Sequence, residues 1–541
     1  MKNKMYFGGK YLLLCYLAVT VVMPLVQLFG TIRTEHIQMV FSSAQFWPML
    51  KNSLITTALA TVISVALSFS LAWMLNRSNI RFKSVLVVLF TVPMLIPSIS
   101  HGMGLVQLFG DNGLITDLLG LNIGLYGYKG IVMGSVLYSF PVSFLMFNDS
   151  FQYEDFTIYE AANVLGLSKW NQFVTITLPA MRRTIVSAVL AVFTMVFTDY
   201  GVPLMTGGTA MTLPVYMYRE VIGMMNFSGG AVIGVILLTP AVAAFLMDLR
   251  NSGSGEAVST VTKAYVIGEN RLRDTLVYVV FALVLAALCL PIAAFVLLSF
   301  VEKYPIDMSF SMNTVKTLLT GGIGMYLVNS LAIALLTALV GTCLSYFSAY
   351  VTARSGKSAS NKVLHFISLL SLAIPGIVLG LSFVLTFSGA ALYGTIFILV
   401  IVNIAHFFSS PYLLAYNSLS KFNPNLEDVA ESLGINRMRM LLDVYIPCTR
   451  ATIVEMYSYY FVNAMITISA VSFLMNFRTM PLALMIPQLE SQSFIEGTAM
   501  VSMIILVLNL TEKGIAFVIK RMIQKEDTQK GVVATASSEQ V

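Results

Sequence analysis

Charge is scarce in this chain. Asp, Glu, Lys and Arg make up 11% of its 541 residues, while 57% are hydrophobic; a soluble domain carries about 25% charged residues. A water-soluble enzyme of this length is excluded, and so is a disordered chain. Cysteine is scarce too: Cys15, Cys289, Cys343 and Cys448 have no CxxC spacing, so neither a zinc site nor a disulfide framework is indicated. His36, His101, His365 and His406 are scattered and form no ligand set, and no metal or other cofactor is expected. No G-x4-G-K-[ST] occurs, so the chain binds no ATP through a P-loop. The excess of 32 Lys+Arg over 26 Asp+Glu is mild and calls for no nucleic-acid partner.

What the chain has instead is long apolar runs. Crossing ~30 Å of hydrocarbon takes about 20 residues, and twelve runs qualify: roughly 11–30, 52–75, 84–109, 130–148, 184–205, 231–249, 275–300, 326–352, 363–388, 390–414, 452–475 and 496–519. The first is too long for a signal-peptide core and lacks a small-x-small cleavage site, so it is expected to be retained. With the N-terminus placed inside, 24 Lys and Arg fall in inner segments and seven in outer loops. The positive-inside rule then puts both termini on the cytoplasmic side, with the spans in contact with the lipid bilayer.

The runs form two sets of six around the polar stretch 250–274, whose Gly/Ser start reads as a flexible cytoplasmic linker. Asn52-Ser53-Leu54 returns as Asn329-Ser330-Leu331, and Leu67-Ser68 returns at the same offset as Leu344-Ser345. Ile96-Pro97 with Gly102 returns as Ile374-Pro375 with Gly380, one position further on. Six is even, so the repeat is parallel. The expected organisation is an all-α polytopic protein with a first half 1–249, linker 250–274, second half 275–520 and cytoplasmic tail 521–541, the halves facing each other across a path.

The most informative feature is a duplicated loop. Glu160-Ala161-Ala162, Gly166 and then Ile176-Thr177-Leu178-Pro179 match Asp428-Val429-Ala430, Gly434 and then Val444-Tyr445-Ile446-Pro447, at a constant separation throughout. Each loop reads as a short helix, a glycine stop and a helix returning to the membrane. Thr157-x-x-Glu160 and Asn425-x-x-Asp428 have the form of capping boxes, Gly166 and Gly434 suit left-handed C′ positions, and Pro179 and Pro447 limit the returning helix.

The pattern EAA-x3-G-x9-I-x-LP resembles the signature of permease subunits of binding-protein-dependent ABC importers. Its double occurrence resembles the fused permeases of the ferric-iron, thiamine and 2-aminoethylphosphonate type, and the likeness covers both halves. It implies the type I importer permease fold. It also implies that Glu160, Ala161, Ala162 and Gly166 form one site of coupling to an ATPase, and Asp428, Ala430 and Gly434 a second. Two copies of a cytoplasmic ABC ATPase and an extracytoplasmic solute-binding protein are the implied partners; the chain itself is a transport subunit and not an enzyme.

Ionisable groups within spans are costly and are read as functional candidates. Asp199, in the fifth span, and His101, in a Pro/Gly-interrupted third span, are the candidates for the translocation path. The segment DYGVP around Asp199 resembles the same importer type, which implies a small charged solute: 2-aminoethylphosphonate first, favoured by PSISHGMG and LFGDNG (97–104 and 108–113), then ferric iron, then thiamine or polyamine. The competing reading is a major-facilitator-like secondary transporter that uses Asp199 for ion coupling.

The second loop departs from the signature at Asp428 and Val429, so the two ATPase contacts are expected to differ in strength. Gly166→Pro and Gly434→Pro, made separately, should therefore lower coupled ATPase activity by different amounts; identical losses contradict the asymmetry.

Overall fold

The computed structural model of the chain describes residues 4–120, 122–252, 263, 265–355 and 358–538. Among them the fold is almost wholly helical, with one antiparallel pair, Val301–Lys303 against Asp307–Phe310. In lipid a helix satisfies its own backbone groups, which is why apolar runs take this form. Eight unbroken helices are long and apolar enough to span a membrane, and three sharply bent pairs raise the number to 11. The remaining expected run, 452–475, is the 17-residue helix Arg450–Ile466, which stops at Thr467.

The bends have a cause in the sequence. Proline drives the residue before it out of the helical region, and Ile96 and Ile374, before Pro97 and Pro375, are extended at φ −118° and −105°. The third span of each half accordingly breaks, by 94° between Lys83–Leu95 and Ser98–Leu119 and by 113° between Ala359–Ala373 and Gly376–Phe387. Just beyond each break a repeated glycine allows close packing. A Cβ on Gly102 would stand 3.1 Å from the Val202 carbonyl oxygen, and one on Gly380 2.6 Å from that of Ala470.

The repeated Asn-Ser pair also has one task in both halves. Asn52 Nδ2 donates to the Met211 carbonyl (2.9 Å) and Ser53 Oγ accepts from Leu213 N–H (2.8 Å). Asn329 Nδ2 donates to the Arg478 carbonyl (2.8 Å) and Ser330 Oγ accepts from Leu482 N–H (2.6 Å). Each pair pins the segment after the fifth span to the start of the second.

The compact units are not contiguous in the chain. One comprises Met1–Arg33, Leu318–Met485 and Ile504–Val541; the other comprises Thr34–Thr317 and Ile486–Met503. The first helix of each sequence half thus packs with the bulk of the other half. In the first unit, Leu13, Leu17, Val21 and Leu28 form a buried helical stripe, and Met23–Thr31 lies along Gly376–Phe387. In the second unit, Phe281 of helix Arg271–Leu298 meets Phe90 edge-on at 5.3 Å, while Gly104 leaves room for Pro291 and Phe295. Small residues that admit a neighbouring backbone drive such packing in lipid, where apolar burial alone cannot choose a partner.

Residues 253–262 and 264 of the expected linker lie outside the described residues. Arg271–Asp274, assigned to the linker by sequence, instead opens helix Arg271–Leu298, whose first turn is capped by Asn270 Oδ1 accepting from Arg273 N–H at 3.0 Å. At the other end, helix Ile495–Ser538 runs on through the expected tail.

Alanine at Gly102 or Gly380 should cost on the order of 1–3 kcal/mol through overpacking. Gly380→Ala should cost more, because its nearest obstacle is backbone. Thermal unfolding of the two purified variants checks this, and equal shifts would contradict it.

Candidate functional site

The duplicated loops fold alike. Helix Thr157–Val164 ends at Gly166 (φ +72°), with Leu167 N–H bonded to the Ala162 carbonyl (3.0 Å) and Gly166 N–H to that of Asn163 (3.1 Å). Helix Leu426–Ser432 ends at Gly434 (φ +70°), with Ile435 N–H on the Ala430 carbonyl (2.8 Å) and Gly434 N–H on that of Glu431 (3.0 Å). Both are complete Schellman motifs, whose left-handed residue glycine adopts without a Cβ penalty. A second short helix follows in each, Lys169–Gln172 capped by Ser168 and Arg437–Met440 capped by Asn436.

Each loop then returns through a π turn, Phe173–Thr177 or Leu441–Tyr445. Leu178 and Ile446 N–H reach back to the Phe173 and Leu441 carbonyls, one residue further than in an α-helix. The prolines that follow, Pro179 and Pro447, have no N–H to bond to the preceding turn, and the widened turn accommodates them.

The capping boxes do not form. The first helix has Phe156 at its N-cap, and Thr157 donates through N–H (3.0 Å) and Oγ1 (2.7 Å) to Asp155 Oδ1, while Glu160 is drawn to Lys263. Asn425 holds the second N-cap but its side chain caps nothing. Of the small residues in the signature, Ala162 and Ala430 are buried against the chain itself (3% and 4% exposed). Ala161, Gly166, Asp428 and Gly434 are exposed, and Glu160 is partly so. Apolar side chains share that surface: Val164, Leu165 and Trp170 on the first loop, Val429 and Leu433 on the second.

What fixes each loop helix is a buried arginine at the end of the long second helix of its half. Arg77 pairs with Glu154, both 7% exposed, and its Nη2 lies 3.3 Å from Tyr159 Oη. Tyr159 in turn donates to Glu154 and lies 2.8 Å from Thr177 Oγ1. Arg354 stands to Arg77 at the offset of the Asn-Ser repeat. It grips Glu427 with two nitrogens, Nε at 2.7 Å and Nη2 at 2.6 Å. Its other bonds go to Tyr445 Oη (3.1 Å) and the carbonyls of Phe422 (3.0 Å) and Asn423 (2.7 Å).

The two clusters have the same composition from different positions. In the register of the duplicated loop, Glu427 stands where Tyr159 does and Tyr445 where Thr177 does. Burial first, and then the neighbouring carboxylate, raises the Tyr159 phenol above its ordinary pKa and pushes that of Tyr445 up to about 12. Both therefore remain neutral donors to the acid beside them. The sequence reading missed these residues; the equal spacing of Arg77 and Arg354, each closing an apolar run, was the available signal.

The two path candidates brace one helix break. Asp199 accepts from Val202 N–H (2.9 Å), Gly201 N–H (3.3 Å) and the Ser98 hydroxyl, capping the short helix Gly201–Thr206. His101, 2% exposed, places Nε2 3.0 Å from the Pro93 carbonyl oxygen and its ring 6.0 Å from Tyr138. That carbonyl belongs to the turn Val92–Leu95 just before the break. The structure attaches both side chains to the two sides of that break, in local hydrogen bonds. Among the described residues no three His, Cys, Asp or Glu side chains group to hold a metal.

The family described as binding-protein-dependent transport system inner membrane component matches residues 64–249 and again 341–524. The putative ferric transport system permease protein FbpB 1 of Haemophilus influenzae is 23% identical over 88% of this chain and 80% of its own length. The ferric transport system permease protein FbpB of Actinobacillus pleuropneumoniae is also 23% identical, over 88% of this chain and 73% of that protein. The molybdenum transport system permease protein ModB of H. influenzae is 28% identical over 31% of this chain and 76% of its own length.

Lysine keeps the charge of arginine but not its fork. Arg354→Lys gives up the carbonyl bonds and half of the carboxylate grip, a loss of about 2–4 kcal/mol. Arg77→Lys should lose about 1–2 kcal/mol, since Arg77 Nη1 is buried with no partner among the described residues. Thermal stability of the two purified variants distinguishes these; an equal or reversed order contradicts the assignment.

Proposed function

The chain belongs to the binding-protein-dependent transport system inner membrane components, and from that membership we propose that it is the translocation subunit of an ATP-driven importer of ferric iron. As an ABC permease with both halves in one chain, it forms the path across the membrane and leaves solute capture and ATP hydrolysis to separate proteins. A major-facilitator-like mechanism with Asp199 as ion-coupling residue is not favoured: that class has no use for duplicated loops, and the Asp199 carboxylate already serves as a helix cap.

One observation supports the coupling role above the others. Each duplicated loop presents a stiff helix, stopped by a left-handed glycine and locked through a buried ion pair to a membrane helix of 31 or 32 residues. A push on such a loop helix moves the span it is tied to. Two such loops call for two ATPase copies on the cytoplasmic side, with Glu160, Ala161 and Gly166 in one contact and Asp428 and Gly434 in the other. Ala162 and Ala430 then act from beneath, as the small residues that seat each helix. ATP-driven closure of the two ATPases would draw the loops together and open the path outward to the binding protein; hydrolysis would reverse it.

Ferric iron replaces 2-aminoethylphosphonate as the favoured solute. The relatives that match 88% of the chain are ferric permeases by name, and the phrases that favoured the phosphonate have structural duties. In PSISHGMG, Ser98 holds Asp199, His101 holds Pro93 and Gly102 admits a neighbouring helix. In LFGDNG, the Asn112 carbonyl accepts from Tyr304 and Asp111 from Asn122.

The chain should co-purify from native membranes in mild detergent with two ATPase copies. Reconstituted with its binding protein, it should take up ferric iron on ATP addition, and lose uptake when Gly166 and Gly434 are both replaced by proline. A chain that purifies alone and transports on a proton or sodium gradient would overturn the importer reading. ATP-driven uptake of another solute but not of iron would overturn the iron assignment alone.

A further inference from the structure

The two loop helices are braced from different directions. The second cluster is complete within its own loop, because the Arg354 fork is filled by Glu427, Tyr445 and the Phe422 and Asn423 carbonyls. The first is not. Among the described residues Arg77 Nη1 has no hydrogen-bond partner, and the face of its guanidinium is covered from outside the loop by Tyr265, whose ring centre lies 3.2 Å from Cζ. The same ring meets those of Phe156 at 4.8 Å and Tyr159 at 5.2 Å, both edge-on.

Tyr265 comes from the stretch between the two sequence halves, and its neighbours are also engaged. Phe156 N–H, at the N-cap of the first loop helix, donates to the Lys263 carbonyl at 3.0 Å. Lys263 Nζ pairs with Glu160, at side-chain exposures of 46% and 43%. Further along, the Ile267 and Gly268 carbonyls each accept from Asn79 Nδ2 at 3.3 Å, and Gly268 also accepts from Arg273 Nη2 at 3.0 Å. The stretch therefore passes over the start of the loop helix, covers the buried arginine and ends on the turn that follows the second span.

We propose that Lys263 and Tyr265–Gly268 form a strap that positions the first coupling helix, with Lys263 and Tyr265 as positioning residues for ATP-driven transport. The proposal rests on the coupling role given to the duplicated loops. Tyr265 supplies through a cation–π contact the cover that two carbonyls supply to Arg354. Lys263 sets the direction of the loop helix by holding its start through a backbone bond and its first turn through Glu160. The first ATPase contact thus depends on the segment that joins the halves, whereas the Arg354 fork of the second is filled from its own loop. The Lys263–Glu160 pair is exposed and screened by salt, so its contribution is the smaller one.

The test uses the whole complex in proteoliposomes: this chain, its ATPase and its binding protein. ATP hydrolysis is measured with and without solute-loaded binding protein. Tyr265→Ala should lower the stimulated activity about fivefold and Lys263→Ala about twofold, with basal activity and the two-ATPase stoichiometry unchanged. Tyr265→Phe and Lys263→Arg should restore stimulation. High salt should reduce stimulation in the wild type but not in Lys263→Ala. If Tyr265→Ala does not assemble, the Lys263→Ala and Lys263→Arg pair decides, since Lys263 is half-exposed and its loss leaves no buried gap. Unchanged stimulation in variant complexes of full stoichiometry overturns the strap. A wild-type chain that binds no ATPase overturns instead the coupling reading beneath it, before any variant is compared.

Discussion

A guanidinium buried where a long membrane helix ends governs much of this architecture. Bringing Arg77 or Arg354 out of water costs several kcal/mol, which only a well-placed carboxylate and further acceptors offset. Those acceptors lie on the loop, so the loop has one position in which the charge is satisfied. The left-handed glycine and the π turn follow from this. The loop helix must end soon after its contact with the arginine, and the chain must then turn back sharply to re-enter the membrane. The result is a lever: a short helix outside the spans that cannot tilt without moving the long helix whose end it grips.

The elements legible in the sequence are those set by a single residue's covalent chemistry. Proline broke the third span of each half, glycine ended each loop helix, and the Asn-Ser pair that marked the repeat proved to be a clasp between segments. The capping boxes were misread because capping depends on where the helix starts, and Asp155 moved that start by offering a nearer acceptor to Thr157. The arginine clusters were hidden for another reason. The repeat holds the arginine in register but draws its acid and phenol from different places, Glu154 and Tyr159 in one half, Glu427 and Tyr445 in the other. A repeat search aligns residues, while the structure preserves a constellation.

The same distinction explains the two path candidates and the span count. Asp199 and His101 stood out because charge and imidazole are rare in apolar runs, yet each spends its hydrogen bonds locally, Asp199 on the start of helix Gly201–Thr206 and on Ser98, His101 on the Pro93 carbonyl before the proline break. Rarity identified a constraint without identifying its kind. The count of twelve came from hydropathy, which registers apolar length and not continuity. It therefore joined broken helices into spans and carried the eleventh past its end at Thr467. The interleaved units were beyond any local signal, because Leu13, Leu17, Val21 and Leu28 face a partner that belongs to the other half of the chain.

That separation has a consequence for synthesis. Met1–Arg33 leaves the ribosome well before the segment it packs with, which begins at Leu318. At 5–20 residues per second the wait is on the order of 15–60 s, during which the leading helix has only lipid around its buried stripe. A stripe of leucine and valine can stand in lipid for that time, whereas a buried arginine still lacking its acid could not. The order of the chain thus gives the longest wait to a stripe of leucine and valine, and the buried Lys10 on that helix awaits no acid, only the Ser358 and Ser360 hydroxyls. Each buried arginine, by contrast, meets its acid within the same half, 77 positions on for Arg77 and 73 for Arg354.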